Sequence, residues 1–375
     1  MKRNIFMKFL LSVLILLGLL IFIVGGYIAY ISIQFYRLPD QMDLTSEIET
    51  NQTASVSTGT SYTITTYNIG FGAYTRDFSF FMDSGEMLDG TKLAGTGSKA
   101  SSKDVVLTNT NGAISIASSF DADFMFFQEV DIDATRSHHV NQFQMLKDTF
   151  TGYGSTFAHN FHSAFLFYPI FDPHGATEAG IATFSKYQMS SSIRYKLPID
   201  ESFPWKFFDL DRCIMISRIP VVGGGELVLI NVHLSAYDEG GLIRMQQLGL
   251  LNTILEEEAA LNHYVIVGGD FNHDIASSIH TFSTEQKVPE WVYVLGQDQL
   301  SEGYSFASSN TNPTCRSTDM AYEPGVNYTV TIDGFIISSN VSIVSVNNIV
   351  SLGAEDVNFL YSDHNCVVFE FSLNA

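Results

Sequence analysis

The chain has 375 residues, is 46% hydrophobic and carries a formal net charge of −21, from 19 basic and 40 acidic residues. Such a chain can bury a large core, as one big domain or two smaller ones. An acidic surface repels polyanions over most of its area, so a broad basic nucleic-acid patch is excluded. Cys213, Cys315 and Cys366 include no C-x-x-C pair, which leaves a cysteine zinc site without support.

Lys2, Arg3 and Lys8 precede a charge-free run from Phe9 to Tyr36. About 20 apolar residues suffice to cross a bilayer as a helix. A signal peptide would have a shorter apolar region and a small-residue cleavage site. The sequence therefore predicts an uncleaved transmembrane anchor over 1–37, with Tyr27, Tyr30 and Tyr36 at the interface. The cations before the run place the N-terminus in the cytoplasm and the remainder outside, as a single-pass protein of the cell membrane. From residue 38 onward there are 15 basic and 40 acidic residues.

Residues 38–60 are polar and rich in Ser and Thr, which predicts a flexible linker before a domain over 61–375. The alternating run Y-T-I-T-T-Y-N-I, 62–69, predicts a strand. Residues 71–110 read as a long irregular region, functional or mobile. A short helix follows over 111–120, a buried strand over 123–130 and a helix over 138–150. Strands are predicted at 179–184, 207–219 and 226–233, and an amphipathic helix at Leu242–Ala260. Further strands are predicted at 263–268, 328–337, 341–346 and 366–372. Strands outnumber the interleaved helices, as expected for packed sheets with helices outside them.

Polar residues recur where apolar strands end. Asn68 ends T-I-T-T-Y-N, Gln128 and Glu129 end F-M-F-F-Q-E, and His233 ends L-V-L-I-N-V-H. Asp270 and Asn272 close V-I-V-G-G-D-F-N, Asp333 sits in V-T-I-D-G-F, and Asp363 and His364 precede C-V-V-F-E-F. Any one of these reads equally well as a turn former or a hydrogen-bonded structural residue. Gly268 and Gly269 admit a substrate or another backbone. Together, polar groups at one end of packed sheets make a cleft, the usual place for a site.

The ordered set T-T-Y-N-I-G, F-F-Q-E-V-D, N-V-H-L, G-G-D-F-N, T-I-D-G-F and S-D-H-N resembles the motifs of the endonuclease/exonuclease/phosphatase superfamily over Tyr62 to Phe371. The resemblance implies a four-layer α/β sandwich of two mostly antiparallel sheets flanked by helices, here preceded by one transmembrane helix. It implies a metal-dependent phosphoesterase with Glu129, Asn68 and Asp363 at the metal. Asp270 and Asn272 match the pair that orients the nucleophile and phosphate. His364 matches the histidine at the scissile phosphate, Asp333 the acid that orients it, and His233 a second histidine. Asn68 and Asn272 would also contact substrate.

The chemistry agrees. Phosphoester hydrolysis needs an activated water, stabilised oxygen charge and a protonated leaving group. Oxygen ligands suit Mg²⁺ or Mn²⁺ rather than zinc. Arg136 and Arg212 are further candidates for phosphate contact, against readings as a solvated loop residue and a salt-bridge residue. The expected substrate is a nucleic acid or a phospholipid head group, and the expected state a monomer. The rival is a catalytically inactive ligand-binding module on the same fold.

Overall fold

Parallel strands need a long crossover, and this chain makes two of them through helices. Strand Ser61–Asn68 is followed by helix α2 (Lys103–Ser118) and then by the parallel strand Phe124–Ala134. Strand Glu226–His233 is followed by helix α4 (Leu242–Ala260) and the parallel strand Tyr264–Asp270. The computed structural model describes residues 2–207, 210–236 and 241–375. Each parallel pair lies inside a large sheet whose other described pairings are antiparallel.

The first sheet has seven strands in the spatial order 41–43, 191–196, 213–220, 226–233, 264–270, 333–338, 304–307. The second has six, in the order 341–348, 367–373, 61–68, 124–134, 175–185, 154–166. Alternation sets the layers, because successive strand side chains point to opposite faces. Ile64, Phe124 and Phe126 of one sheet meet Leu227, Leu229, Ile266 and Phe335 of the other in a shared core. Tyr67, Met125 and Phe127 point outward onto Ile114 and Ala117 of α2 and Leu146 of α3 (Gln142–Thr149). On the opposite side Val228, Ile230, Val265 and Val267 pack on Leu251, Ile254 and Leu255 of α4. The result is the expected four-layer sandwich.

Helix α2 starts at Lys103, eight residues before the expected start. Ser102 caps it, its hydroxyl accepting from the Val105 amide at 3.2 Å. Asn111 and Gly112, the expected start, lie inside the helix. A Cβ on Gly112 would meet the Tyr361 ring at 2.4 Å, so ring packing demands this glycine. The rest of 71–110 is ordered too. It folds a hairpin, Ser84–Glu86 against Lys92–Ala94, and buries Phe71, Tyr74 and Ala100 with Val106 of α2. Strands Gly154–Leu166 and Ser191–Lys196 were not expected from the sequence pattern. Phe208 and Asp209 of the strand expected over 207–219 lie outside the described residues; the strand itself is Cys213–Pro220. The three cysteines are free and buried.

The predicted flexible linker is instead part of the sandwich. Gln41–Asp43 pairs with Ser191–Lys196, Glu49 bridges to Ser155, and Val56 bridges to Val221. Leu44 and Val56 are buried. The polar composition hid this because an edge strand needs few apolar side chains. Helix α1 (Lys2–Gln34) precedes it; 31 of its residues, Asn4–Gln34, form a segment long and apolar enough to cross a membrane.

Candidate active site

The two parallel pairs finish at one edge of the sandwich. Register places Asn68 beside Gln128, and His233 beside Asp270. The antiparallel strand Asp333–Ser338 begins where its neighbour ends, so Asp333 lies beside Asp270. Along the inward faces the apolar core gives way to a polar layer. Gln128 donates to Asn231 Oδ1 at 2.8 Å and, at 3.1 Å, to Thr66 Oγ1, and Asn231 donates to the Ala182 carbonyl at 2.9 Å. Sequence reasoning passed over Asn231 and gave Gln128 no role. The signal was present: Thr66 and Asn231 lie two residues before Asn68 and His233, on the same faces.

Simple alternation would turn Glu129 away from the cleft, since Gln128 points inward. A bulge corrects this. The pairing register shifts between Phe127 and Val130, and Glu129 takes a left-handed φ of 54°. Its carboxylate then lies 3.3 Å from the Asn68 amide nitrogen and 4.0 Å from His233 Nε2. The same Asn68 nitrogen donates to Asp270 Oδ2 at 3.0 Å. The Gly70 amide donates to Asn68 Oδ1 at 3.0 Å, which fixes the amide orientation. Asn68 thus offers N–H groups to two carboxylates, and its oxygen is engaged elsewhere.

His364 comes from outside the sheets. It is held by a bridge to Cys315 and by its own amide donating to Ser362 Oγ at 3.2 Å. The imidazole Nδ1 lies 2.8 Å from Asp333 Oδ2, and Nε2 lies 3.6 Å from Asp270 Oδ2. His233 Nε2 approaches the same Asp270 oxygen at 3.6 Å. The two histidines differ in charge. Burial alone would depress the His364 pKa, but Asp333, Cys315, Asp270 and Asp363 carry it well above the ordinary value. Burial, with the charges of Arg212, His364 and Arg136, holds His233 well below it. Burial pushes the Asp270 pKa up to about 6 against the attraction of His364. Asp363 is likewise raised to about 6, by burial first and then by Glu129.

Other expectations are refined. The Asn272 amide donates to Asp270 Oδ1 and its side chain donates to the Leu234 carbonyl, both at 2.8 Å, so Asn272 anchors this turn. Gly268 and Gly269 serve packing rather than substrate access. A Cβ on Gly268 would meet the Phe335 ring at 2.5 Å, and one on Gly269 the Val232 carbonyl at 2.0 Å. Arg136 is no surface contact: it is buried, makes two hydrogen bonds to Asp131 at 3.1 and 2.8 Å, and stacks on Phe71 at 4.1 Å. Arg212 is buried too and donates to the His233 carbonyl at 3.3 Å. Both guanidiniums lie close enough to His233 for their charge to lower its pKa.

The family model of the endonuclease/exonuclease/phosphatase family matches residues 66–364. The chain belongs to that family. Its motifs at Asn68, Glu129, Asp270 and His364 fall within the matched range. No curated protein matches the chain by sequence. Among solved structures, the fold is similar to truncated TDP2 of Caenorhabditis elegans (16% identity, TM-score 0.50, covering 84% of this chain and 98% of that one). It is also similar to an endonuclease/exonuclease/phosphatase of Beutenbergia cavernae (16%, TM-score 0.52, 84% and 72%) and one of Bacteroides vulgatus (17%, TM-score 0.50, 84% and 100%). At these identities the likeness is one of fold.

Within the family fold, the oxygen-rich donors Glu129 and Asp363 fit a hard divalent ion. Burial first, and then repulsion from Glu129, raises Asp363, and a divalent cation held by the two carboxylates would relieve that repulsion. Asp270, Asp333 and His364 form a second, buried group whose ligand atoms all lie within 4.8 Å of one another. In that group, however, His364 Nδ1 is already engaged by Asp333.

Proposed function

We propose that this chain is a membrane-anchored, extracytoplasmic, divalent-metal-dependent phosphodiester hydrolase. The observation that carries this reading is the His364–Asp333 contact of 2.8 Å beside Asp270. Asp333 holds the imidazole in one orientation and favours its cation, leaving Nε2–H to donate to a phosphate oxygen or leaving group. Asp270, with a pKa near 6, is largely ionised at neutral pH and can accept a proton from the attacking water. Neutral His233 supplies a further donor or acceptor beside it. Glu129 and Asp363 would hold Mg²⁺ or Mn²⁺, whose chemistry is to neutralise charge on the phosphate oxygens. Helix α1 supplies the anchor.

The test is turnover of a soluble phosphodiester by the full-length chain in detergent, titrated with Mg²⁺ and with a chelator, for the parent and for Glu129→Gln. Mg²⁺-dependent turnover is expected in the parent. Glu129→Gln should need far more Mg²⁺ and lose most of the rate. A parent that binds the diester without turning it over would establish the inactive binding module instead. Nucleic acid and phospholipid vesicles as substrates separate the two substrate classes.

A further inference from the structure

The tip of the hairpin between strands Gly154–Leu166 and Gly175–Ser185 reads F-L-F-Y-P-I-F, residues 165–171. It has no charged residue. Phe167 is 56% exposed, Tyr168 64%, Ile170 75% and Phe171 101%. A soluble surface rarely shows aromatic and aliphatic side chains so fully extended and adjacent.

What covers them is indicated by α1. The Tyr27 hydroxyl donates to the Phe165 carbonyl and accepts from the Phe167 amide, both at 3.3 Å. The Tyr30 hydroxyl accepts from the Phe165 amide at 3.3 Å. The Tyr27 and Phe167 rings meet edge to face at 5.5 Å. Below this, Arg37 pairs with Asp211 at 2.8 Å and Tyr36 lies on His162 at 4.2 Å, so the helix exit is locked to the domain. The register of α1 therefore sets the depth of the hairpin. Counted from Phe9, the first residue after Lys8, about 20 helical residues cross the hydrocarbon and reach about Ile28. Tyr27 and Tyr30 bracket that boundary, where amphipathic aromatic rings settle. The hairpin tip bonded to them lies at the same level.

We propose that the 165–171 tip is a second membrane contact, its Phe167, Tyr168, Ile170 and Phe171 side chains seated in the lipid interface beside the exit of α1. The occupant is the bilayer itself. The contact rests on α1 spanning that bilayer and is independent of the hydrolytic reading. It also has a consequence for the cleft. Tyr168 packs on Phe81 at 5.7 Å, Phe81 on His174 at 6.0 Å, and His174 on Phe71 at 6.4 Å, three residues from Asn68. Two attachments, the helix and the hairpin, hold the cleft at a set distance from the head groups.

The experiment uses full-length protein in phosphatidylcholine vesicles, with Phe171→Trp as reporter and Leu16→Trp as control. The Phe171 side chain is fully exposed, so its replacement disturbs no core packing and the variant folds. The indole emission that Phe171→Trp adds to that of the parent chain should be quenched by acyl-brominated lipid and spared by aqueous iodide. Quenching by iodide with no effect of brominated lipid overturns the proposal. The emission added by Leu16→Trp must itself be quenched by brominated lipid; if it is not, α1 is outside the bilayer and the proposal falls with it.

Discussion

Asp333 Oδ2 meets His364 Nδ1 at 2.8 Å, so in the proposed reaction it acts through His364. That makes it a positioning residue, and the two side chains should behave as one unit. Asp333→Asn should retain the fold and lower turnover by about 10²-fold or more, since an oriented acid–base group contributes roughly 10²–10⁴. His364→Ala should cost at least as much, and the double variant little more than His364→Ala. Additive losses in the rate measurements would show that the pair does not act together. They lie 31 positions apart with the strand Val341–Asn348 between them, so sequence could suggest the pair but only the fold could join it. A second residue-scale expectation concerns His174, which is buried, with Nδ1 2.7 Å from the Ser98 carbonyl that accepts its proton. Burial, then the Arg136 charge, pulls its pKa from 6.5 to about 4. The folded state thus favours the neutral ring. Its contribution is fully present above about pH 6.5 and is lost as pH falls through about 4, on the order of 3 kcal/mol. His174→Gln should flatten that part of the stability profile, read by urea denaturation at pH 7, 6, 5 and 4. An unchanged acid slope would remove His174 from the account.

At the scale of elements, the site depends on devices that interrupt regular structure. The bulge at Glu129 puts two consecutive side chains to use, Gln128 beneath the cleft and Glu129 in it. Gly269, at φ +144°, lets the Asp270 strand lie against the Val232 carbonyl. The 41–56 segment is the clearest departure from the sequence pattern. Leu44 packs with Ala158, Ile181, Cys213 and Met215, joining strands of both sheets. Leu44→Ala should destabilise the protein by about 2–5 kcal/mol in chemical denaturation, the usual cost of such a cavity. A free linker would show no change.

For the whole molecule, the ion pair of Arg37 with Asp211 and the packing of 41–56 leave no slack between helix and domain. The domain should sit directly on the membrane with its acidic surface outward. Positive charge before α1 predicts that this surface is extracytoplasmic. An amine-reactive label that cannot cross membranes should modify Lys92, whose side chain is 77% exposed, on intact cells. Labelling that appears only after lysis would reverse the orientation. The same acidic surface opposes long polyanions, while a compact cleft still admits one phosphodiester.

The apolar N-terminal helix, the strand–helix alternation and the ordered motifs were legible in the residues alone, because hydrophobic period and run length are local properties. So were Asn68, Glu129, His233, Asp270, Asp333 and His364, since polar residues at apolar strand ends stand out one by one. How they are used depends on contacts between distant parts of the chain. Strand register set Asp270 between His233 and Asp333, and the Gly70 amide fixed which end of Asn68 faces the carboxylates. Long-range packing buried Arg136 on Asp131 and Arg212 against the His233 carbonyl, and explained Gly268, Gly269 and Gly112 by the groups pressed against them. Residues 41–56 read as a linker because an edge segment is held by backbone hydrogen bonds. Those depend on which strand lies alongside, and composition does not record it.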